Sequence, residues 1–296
     1  MLRVPNPESR IPNPESRIPD PGSRIPDPES LIPNPGRYTT EVATHGLLVF
    51  DHIPKTAGTT FRRSYLTAAL PAAERWILGG GETNARDRER FLSLPSAQRD
   101  RIRVVAGHEA GSMRPELPGA RFITVVRDPI QRAISSYLHA RFHEGGEKLW
   151  PDVREQLLSL AQFAQRYIPP NYQSRVVLGD DYEGLDADRI RQRLSERYAL
   201  VGYTEAFDEF VYLLHEIEGL PLCPYANRLV RPERESYVPP VSDLDAVGQS
   251  HTVDALLHQI VKQEFQSRID ALSAGSRDRL QQFLASLRAF RAESTQ

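Results

Sequence analysis

Apolar residues first gather in a strand-length run, Leu47 to Phe50, and after a short polar loop they return at helical spacing as Phe61, Tyr65, Leu66 and Ala69, until Pro71 ends the run. The stretch LLVFDHIPKTAGTTFRRSYLTAAL, Leu47 to Leu70, thus predicts a strand, a loop and a helix starting at about Thr59. Ala72 to Gln98 is polar, with Gly79-Gly80-Gly81 and the charged ARDRERF segment, and predicts irregular surface with one short helix. Ile102 to Ala106 predicts a strand ending at Gly107-His108-Glu109, Gly111 to Gly119 a loop, and Phe122 to Val126 the most strand-like run of all, ending in Arg127-Asp128-Pro129. Ile130, Ala133, Ile134, Tyr137, Leu138 and Arg141 then share a helical face, and Pro129 suits a first helical turn.

Beyond these segments the pattern is helical with one more strand. Asp152 to Arg166 predicts a helix with Val153, Leu157, Leu160, Ala161 and Ala164 inward. Leu200 to Tyr203 predicts a short strand, with Thr204 as N-cap of a helix from Glu205 to Glu218. Cys223 to Pro240 reads as loop, and two amphipathic helices with core-facing stripes follow, about Thr252 to Leu272 and Arg277 to Phe290. The expected class is α/β, an open, mostly parallel sheet flanked by helices, as a single P-loop-like domain over 45-292.

The first 40 residues follow neither period. Residues 3 to 37 are a tandem heptapeptide, RVPNPES, RIPNPES, RIPDPGS, RIPDPES, LIPNPGR, holding ten of the chain's 24 prolines, which predicts an extended, polyproline-like or disordered segment. A Pro-rich docking arm is one reading. The favoured expectation is a repeat in the gene read through from a start placed too far upstream, with a true start near Arg37 to Gly46 at a non-AUG codon, because the next methionine is Met113.

Lys plus Arg number 37 against 39 Asp plus Glu, so the basic excess that drives nucleic-acid binding is absent. The one cysteine, Cys223, excludes an internal disulfide framework, fits a reducing compartment and supplies no metal-site spacing. No apolar run approaches the roughly 18 residues of a membrane span, and no hydrophobic signal core opens the chain, so a cytoplasmic protein without an integral membrane segment is expected. Oligomeric state is not legible.

The candidate chemistry sits at strand-to-helix junctions. A strand, loop and helix offer unpaired N–H groups and the positive end of a helix dipole to an anion, and here Lys55, Thr56, Ala57, Gly58, Thr59 and Thr60 occupy that point. GxxxxGK[ST] puts its lysine after the last glycine, whereas Lys55 precedes Gly58. In RDPIQRAISSYLHARF, Arg127 ends a strand and Ser135 lies about two turns into the helix, so the two can converge on one phosphate, the arginine through a forked contact. His108 also follows a strand, which would bring Lys55, His108 and Arg127 to one sheet edge.

HIPKTAGTT resembles the 5'-phosphosulfate loop of the sulfotransferases that use 3'-phosphoadenosine 5'-phosphosulfate (PAPS), in the branch of heparan sulfate 2-O-sulfotransferases and bacterial carbohydrate sulfotransferases. Residues 127 to 142 resemble that family's 3'-phosphate motif, RDPxxRxxSxY, with Arg127 and Ser135 at the phosphate-binding positions and Arg132 and Tyr137 at the others. The branch keeps a Gly-His pair after the corresponding strand and uses the histidine as base, which implies that role for His108, with Glu109 as its rival. Asn171-Tyr172-Gln173-Ser174-Arg175 resembles a polar NxQxR segment of bacterial relatives, and GYTEAFDEF is similar to the family's VTExxxxF. Arg228, Arg231 and Arg234 match a late basic loop that closes over the nucleotide, or a solvated charge run.

The resemblance spans about Leu47 to Leu272. It implies sulfuryl transfer from PAPS to an acceptor hydroxyl, of a carbohydrate or glycolipid, leaving 3'-phosphoadenosine 5'-phosphate (PAP) and requiring no metal. Lys55 would face the leaving bridging oxygen, Thr59 and Thr60 with the backbone of residues 57 to 60 would hold the 5'-phosphate, and neutral His108 would take the acceptor's proton. An ATP-dependent P-loop kinase, with Asp128 as the one tempting magnesium ligand, and a non-catalytic nucleotide-binding or Pro-rich interaction protein are the alternatives.

Overall fold

Three of the predicted strands are buried on both faces, and the fourth, Leu200–Tyr203, on one with the other half-buried; apolar runs of that kind pair as a parallel sheet covered by helices. In the computed structural model, which describes residues 46–80, 82–142, 150–155, 157–227 and 237–293, the strands are β1 Leu48–Asp51, β2 Arg75–Ile77, β3 Val104–Gly107, β4 Arg121–Val126 and β5 Leu200–Tyr203. The heptapeptide repeat and Arg228, Arg231 and Arg234 lie outside the described residues. All pairs are parallel, in the order β2-β3-β1-β4-β5, with Leu48 opposite both Val104 and Arg121. The α/β class and the open parallel sheet are therefore as expected.

Side chains alternate across this sheet. Leu48, Phe50, Val104, Ala106, Ile123 and Val125 join a core on one face with Phe61, Tyr65 and Phe210, while Val49, Val105, Phe122 and Val126 pack the other face with Val177, Ile190 and Leu257. A third cluster, with Tyr137, Leu160 and Phe163, holds the remaining helices together. β1 is the middle strand, with β3 on one side and β4 on the other. Chain direction across the sheet reverses there, so loops leaving β1, β3 and β4 diverge around a crevice at their carboxyl ends.

The helices, in chain order, are α1 over 58–69, α2 Glu82–Leu92, α3 Ser96–Arg99, α4 Pro129–Phe142, α5 Pro151–Arg154, α6 Leu160–Tyr167, α7 Tyr172–Leu178, α8 Ala187–Arg197, α9 Phe207–Glu218, α10 Val241–Ser250, α11 Thr252–Asp270 and α12 Ala274–Glu293. α1 contains a π-helical turn, Phe61–Tyr65, and stops where Leu70 turns extended before Pro71. Among the described residues, no helix is long and apolar enough to cross a membrane.

Several local expectations change. β2 lies inside the stretch expected to be irregular; three half-buried residues at a sheet edge leave too short a pattern to detect. The single helix expected over Asp152 to Arg166 is two, because Ser159 and Gln162 form a capping box that starts α6 afresh, leaving Leu157 exposed rather than inward. Thr204 caps nothing: its hydroxyl donates to the Val126 carbonyl at 3.2 Å, Thr204–Ala206 forms a 3₁₀ turn, and α9 begins after Ala206.

Candidate active site

The crevice at the ends of β1, β3 and β4 opens into a cleft of about 1200 Å³. Lys55, Ala57, Gly58, Thr59 and Thr60 line it from the β1–α1 loop, His108 from the end of β3, and Arg127 and Ser135 from β4 and α4. Thr56 does not: its side chain is fully buried, and its hydroxyl donates to the Ile53 carbonyl at 2.8 Å, closing the loop on itself.

The loop holds an unfavourable backbone. Lys55 and Ala57 have φ of 71° and 63°, a left-handed conformation that costs a non-glycine residue on the order of 1 to 2 kcal/mol. Specific bonds hold it. Arg127 Nη1 donates to the Lys55 carbonyl at 3.0 Å, and Phe61 N donates to the Ala57 carbonyl at 3.1 Å as α1 begins. Arg127 thus links the two sequence motifs directly. Gly58 is required by a neighbour, since a Cβ there would stand 1.8 Å from the His52 ring.

Arg127 is itself held by Gln173, which is fully buried. The Arg127 N–H donates to Gln173 Oε1 at 2.9 Å and Gln173 Nε2 donates to the Arg127 carbonyl at 2.8 Å, a pairing that fixes which end of the amide is which. Gln173 is fixed in turn by reciprocal capping. Asp254, in the first turn of α11, accepts from the N–H groups of Gln173 and Ser174 at the start of α7, while Asn171 Oδ1 accepts from those of Val253 and Asp254. In NYQSR, then, Asn171 and Gln173 brace Arg127 from behind, and Tyr172 alone of the segment lines the cleft.

His108 meets the cleft with a defined tautomer. Its Nδ1 lies 3.1 Å from the His52 carbonyl oxygen, which can only accept, so Nδ1 carries the proton and Nε2 keeps a lone pair. Asn84 Nδ2 donates to the His108 carbonyl at 2.7 Å. Burial, then the Arg62 guanidinium, lower the His108 pKa from its ordinary value; the bond to His52 and the Glu109 carboxylate pull the other way. The neutral ring is therefore favoured.

Other wall residues escaped the sequence reading. Arg62 follows Gly58 by one helical turn, and that spacing was the available signal for it. Arg288, on α12, and Glu205 and Glu209, beside β5, come from distant segments that only folding brings to the cleft. Part of the acidic side is already paired: Asp208 accepts a forked contact from Arg291 at 2.7 and 2.8 Å, and Glu205 lies 3.6 Å from His258. Burial, with Asp208 nearby, raises the Glu209 pKa. Asp128 caps α4 by accepting from Gln131 N at 2.9 Å. Among the described residues, no group of three or more His, Cys, Asp or Glu side chains is arranged to hold a metal ion.

The arrangement presents a helix amino terminus, a lysine and three arginines, Arg62, Arg127 and Arg288, to one space, with an imidazole lone pair at its edge. It suits an elongated polyanion lying beside a group that loses a proton. No family model matches the chain, and no curated protein does. Among solved structures, mouse sulfotransferase SULT7A1 complexed with PAP is similar over 82% of this chain and 84% of its own, with a TM-score of 0.36 and 12% identity, a likeness too low to carry an activity across.

Proposed function

We propose that this chain is a PAPS-dependent sulfotransferase that moves a sulfuryl group from PAPS to an acceptor hydroxyl, of a carbohydrate or glycolipid. The observation that carries the reading is the Arg127–Lys55 hydrogen bond, 3.0 Å long, which joins an arginine-serine grip and a lysine loop on one cleft wall. Two anionic ends of one nucleotide would need such a pair of grips at neighbouring strand tips.

In this reading Arg127 and Ser135 hold the 3'-phosphate, and Thr59 and Thr60, with the N–H groups opening α1, hold the 5'-phosphate. Sulfuryl transfer, like phosphoryl transfer, passes through a loose in-line transition state in which negative charge grows on the leaving oxygen. A fixed ammonium aimed there is worth more in the transition state than in the ground state, and Lys55 is the candidate. The Nε2 lone pair of His108 takes the proton from the attacking hydroxyl, the S–O bond to the acceptor forms as that to PAP breaks, and PAP leaves with the electron pair.

Calorimetry tests the donor assignment. Tight binding of PAP, with weak binding of ATP plus Mg²⁺, is expected; the reverse preference points to a kinase, and no binding of either to a scaffold. Radiolabelled transfer from PAPS into a whole-cell glycan extract tests the acceptor class, with label expected for the wild type and lost in Lys55→Ala.

A further inference from the structure

His52 stands one residue beyond β1, and the reading above gives it no part. The residue is only 5% exposed, yet Nδ1 has no hydrogen-bond partner among the described residues, so the imidazole is not held there by polar bonds from Nδ1. Shape holds it instead. The ring lies against the Cα of Gly58, where even a methyl group would collide, and stacks between Phe50, at 5.8 Å and 16°, and His108, at 4.1 Å and 29°. Phe50 continues the column to Phe61 at 4.2 Å, in the body of α1. The same residue's carbonyl takes the Nδ1 proton of His108 at 3.1 Å. One residue therefore touches both the face and the edge of the His108 ring.

We propose that His52 is the positioning residue for the base: its ring sets the His108 plane, which aims Nδ1 at the His52 carbonyl and so selects the tautomer, leaving Nε2 to meet the cleft, and Gly58 is glycine to admit that ring. The charged and titratable groups around the pair are Arg62 and Glu109 at His108, and Arg62 and Lys55 at His52. Burial keeps His52 neutral, so the stack carries no charge repulsion at neutral pH. What His108 does for the reaction rests on the sulfotransferase reading; how it is held does not.

The test uses the full chain labelled with ¹⁵N at histidine, with the His108 signal assigned by its loss in His108→Gln. Long-range nitrogen–proton spectra read the tautomer, and a titration reads the midpoint. The wild type is expected to show His108 protonated on Nδ1, with a midpoint below 6.5. His52→Leu keeps the carbonyl and removes the ring; it is expected to give a tautomer mixture and a midpoint moved toward 6.5. His52→Phe, which keeps a flat ring, is expected to hold the wild-type tautomer. Gly58→Ala, which displaces the ring without altering residue 52, should reproduce the leucine signature and decides the matter if His52→Leu does not fold. A wild-type tautomer and midpoint in His52→Leu, or in Gly58→Ala, overturns the proposal. PAP calorimetry on the same wild-type sample judges the sulfotransferase reading separately, since absent PAP binding overturns that reading while the spectra still report on the stack.

Discussion

Replacing Gln173 by leucine keeps the volume of a fully buried side chain and deletes both of its bonds to the Arg127 backbone, at 2.9 and 2.8 Å. Two buried main-chain groups lose these bonds, each loss costing about 1 to 3 kcal/mol, so unfolding free energy should fall by about 2 to 6 kcal/mol. In a domain of this size each kcal/mol corresponds to about 2 to 4 °C, so a Tm lower by roughly 4 to 24 °C is expected in a thermal melt. Arg127 is the strand-end residue proposed to grip the 3'-phosphate, so its displacement should also weaken PAP, by about 10- to 100-fold in calorimetry. Gln173→Glu sharpens the test. Its carboxylate accepts from the Arg127 N–H but meets the Arg127 carbonyl with a second acceptor, and protonation restores the missing donor. Its deficit relative to wild type should therefore shrink as pH falls, while that of Gln173→Leu should not. A Gln173→Leu protein that melts within about 2 °C of wild type and binds PAP equally well would refute the account of how Arg127 is held.

Lys55→Ala and His108→Ala should each lower the transfer rate by roughly 10²- to 10⁴-fold at saturating PAPS, and Arg127→Ala should act mainly on PAP affinity; wild-type turnover in His108→Ala would pass the base role to Glu109. Because burial lowers the His108 pKa and the base acts when neutral, the rate should be flat above 6.5 and fall through a midpoint below it; a midpoint above 6.5 would contradict the environment described. The folded-state pKa values of His52, His108 and His251 are all depressed, so the unfolded chain binds more protons as pH drops past 6.5, and stability should decline from there downward. Denaturant titrations at several pH values between about 7 and about 5 would show it, and constant stability over that range would not fit. Gly111→Ala would drive a Cβ to 2.1 Å from the buried Asp51 carboxylate, and a clear loss of Tm is expected on that ground alone.

Much of the scaffold was readable before folding. β1, β3 and β4 are apolar runs of strand length that the sheet buries on both faces, β5 is a run of similar length half-buried on one of them, and α4 carries its starting proline. The misses have local causes. β2 is a three-residue edge strand, the Asp152 to Arg166 pattern hides a capping box that restarts the helix, and Thr204 found a carbonyl on the neighbouring strand before it could cap its own helix.

At the site, the residue types and their order along the chain were legible: a lysine-threonine turn, a Gly-His pair and an arginine followed by a serine, each after a strand. Spacing along one segment conveys that much, because a strand-to-helix turn is a local structure. Tertiary structure alone decided the rest. The order β2-β3-β1-β4-β5 brings three distant turns to one cleft, Arg127 reaches across to hold the Lys55 carbonyl, Gln173 arrives from 46 residues away to brace Arg127, and the His52 carbonyl chooses the tautomer of His108. These are contacts between segments remote in sequence, with no periodicity to betray them, and they come into being only when the sheet is assembled and burial makes an unpartnered main-chain or side-chain polar group costly.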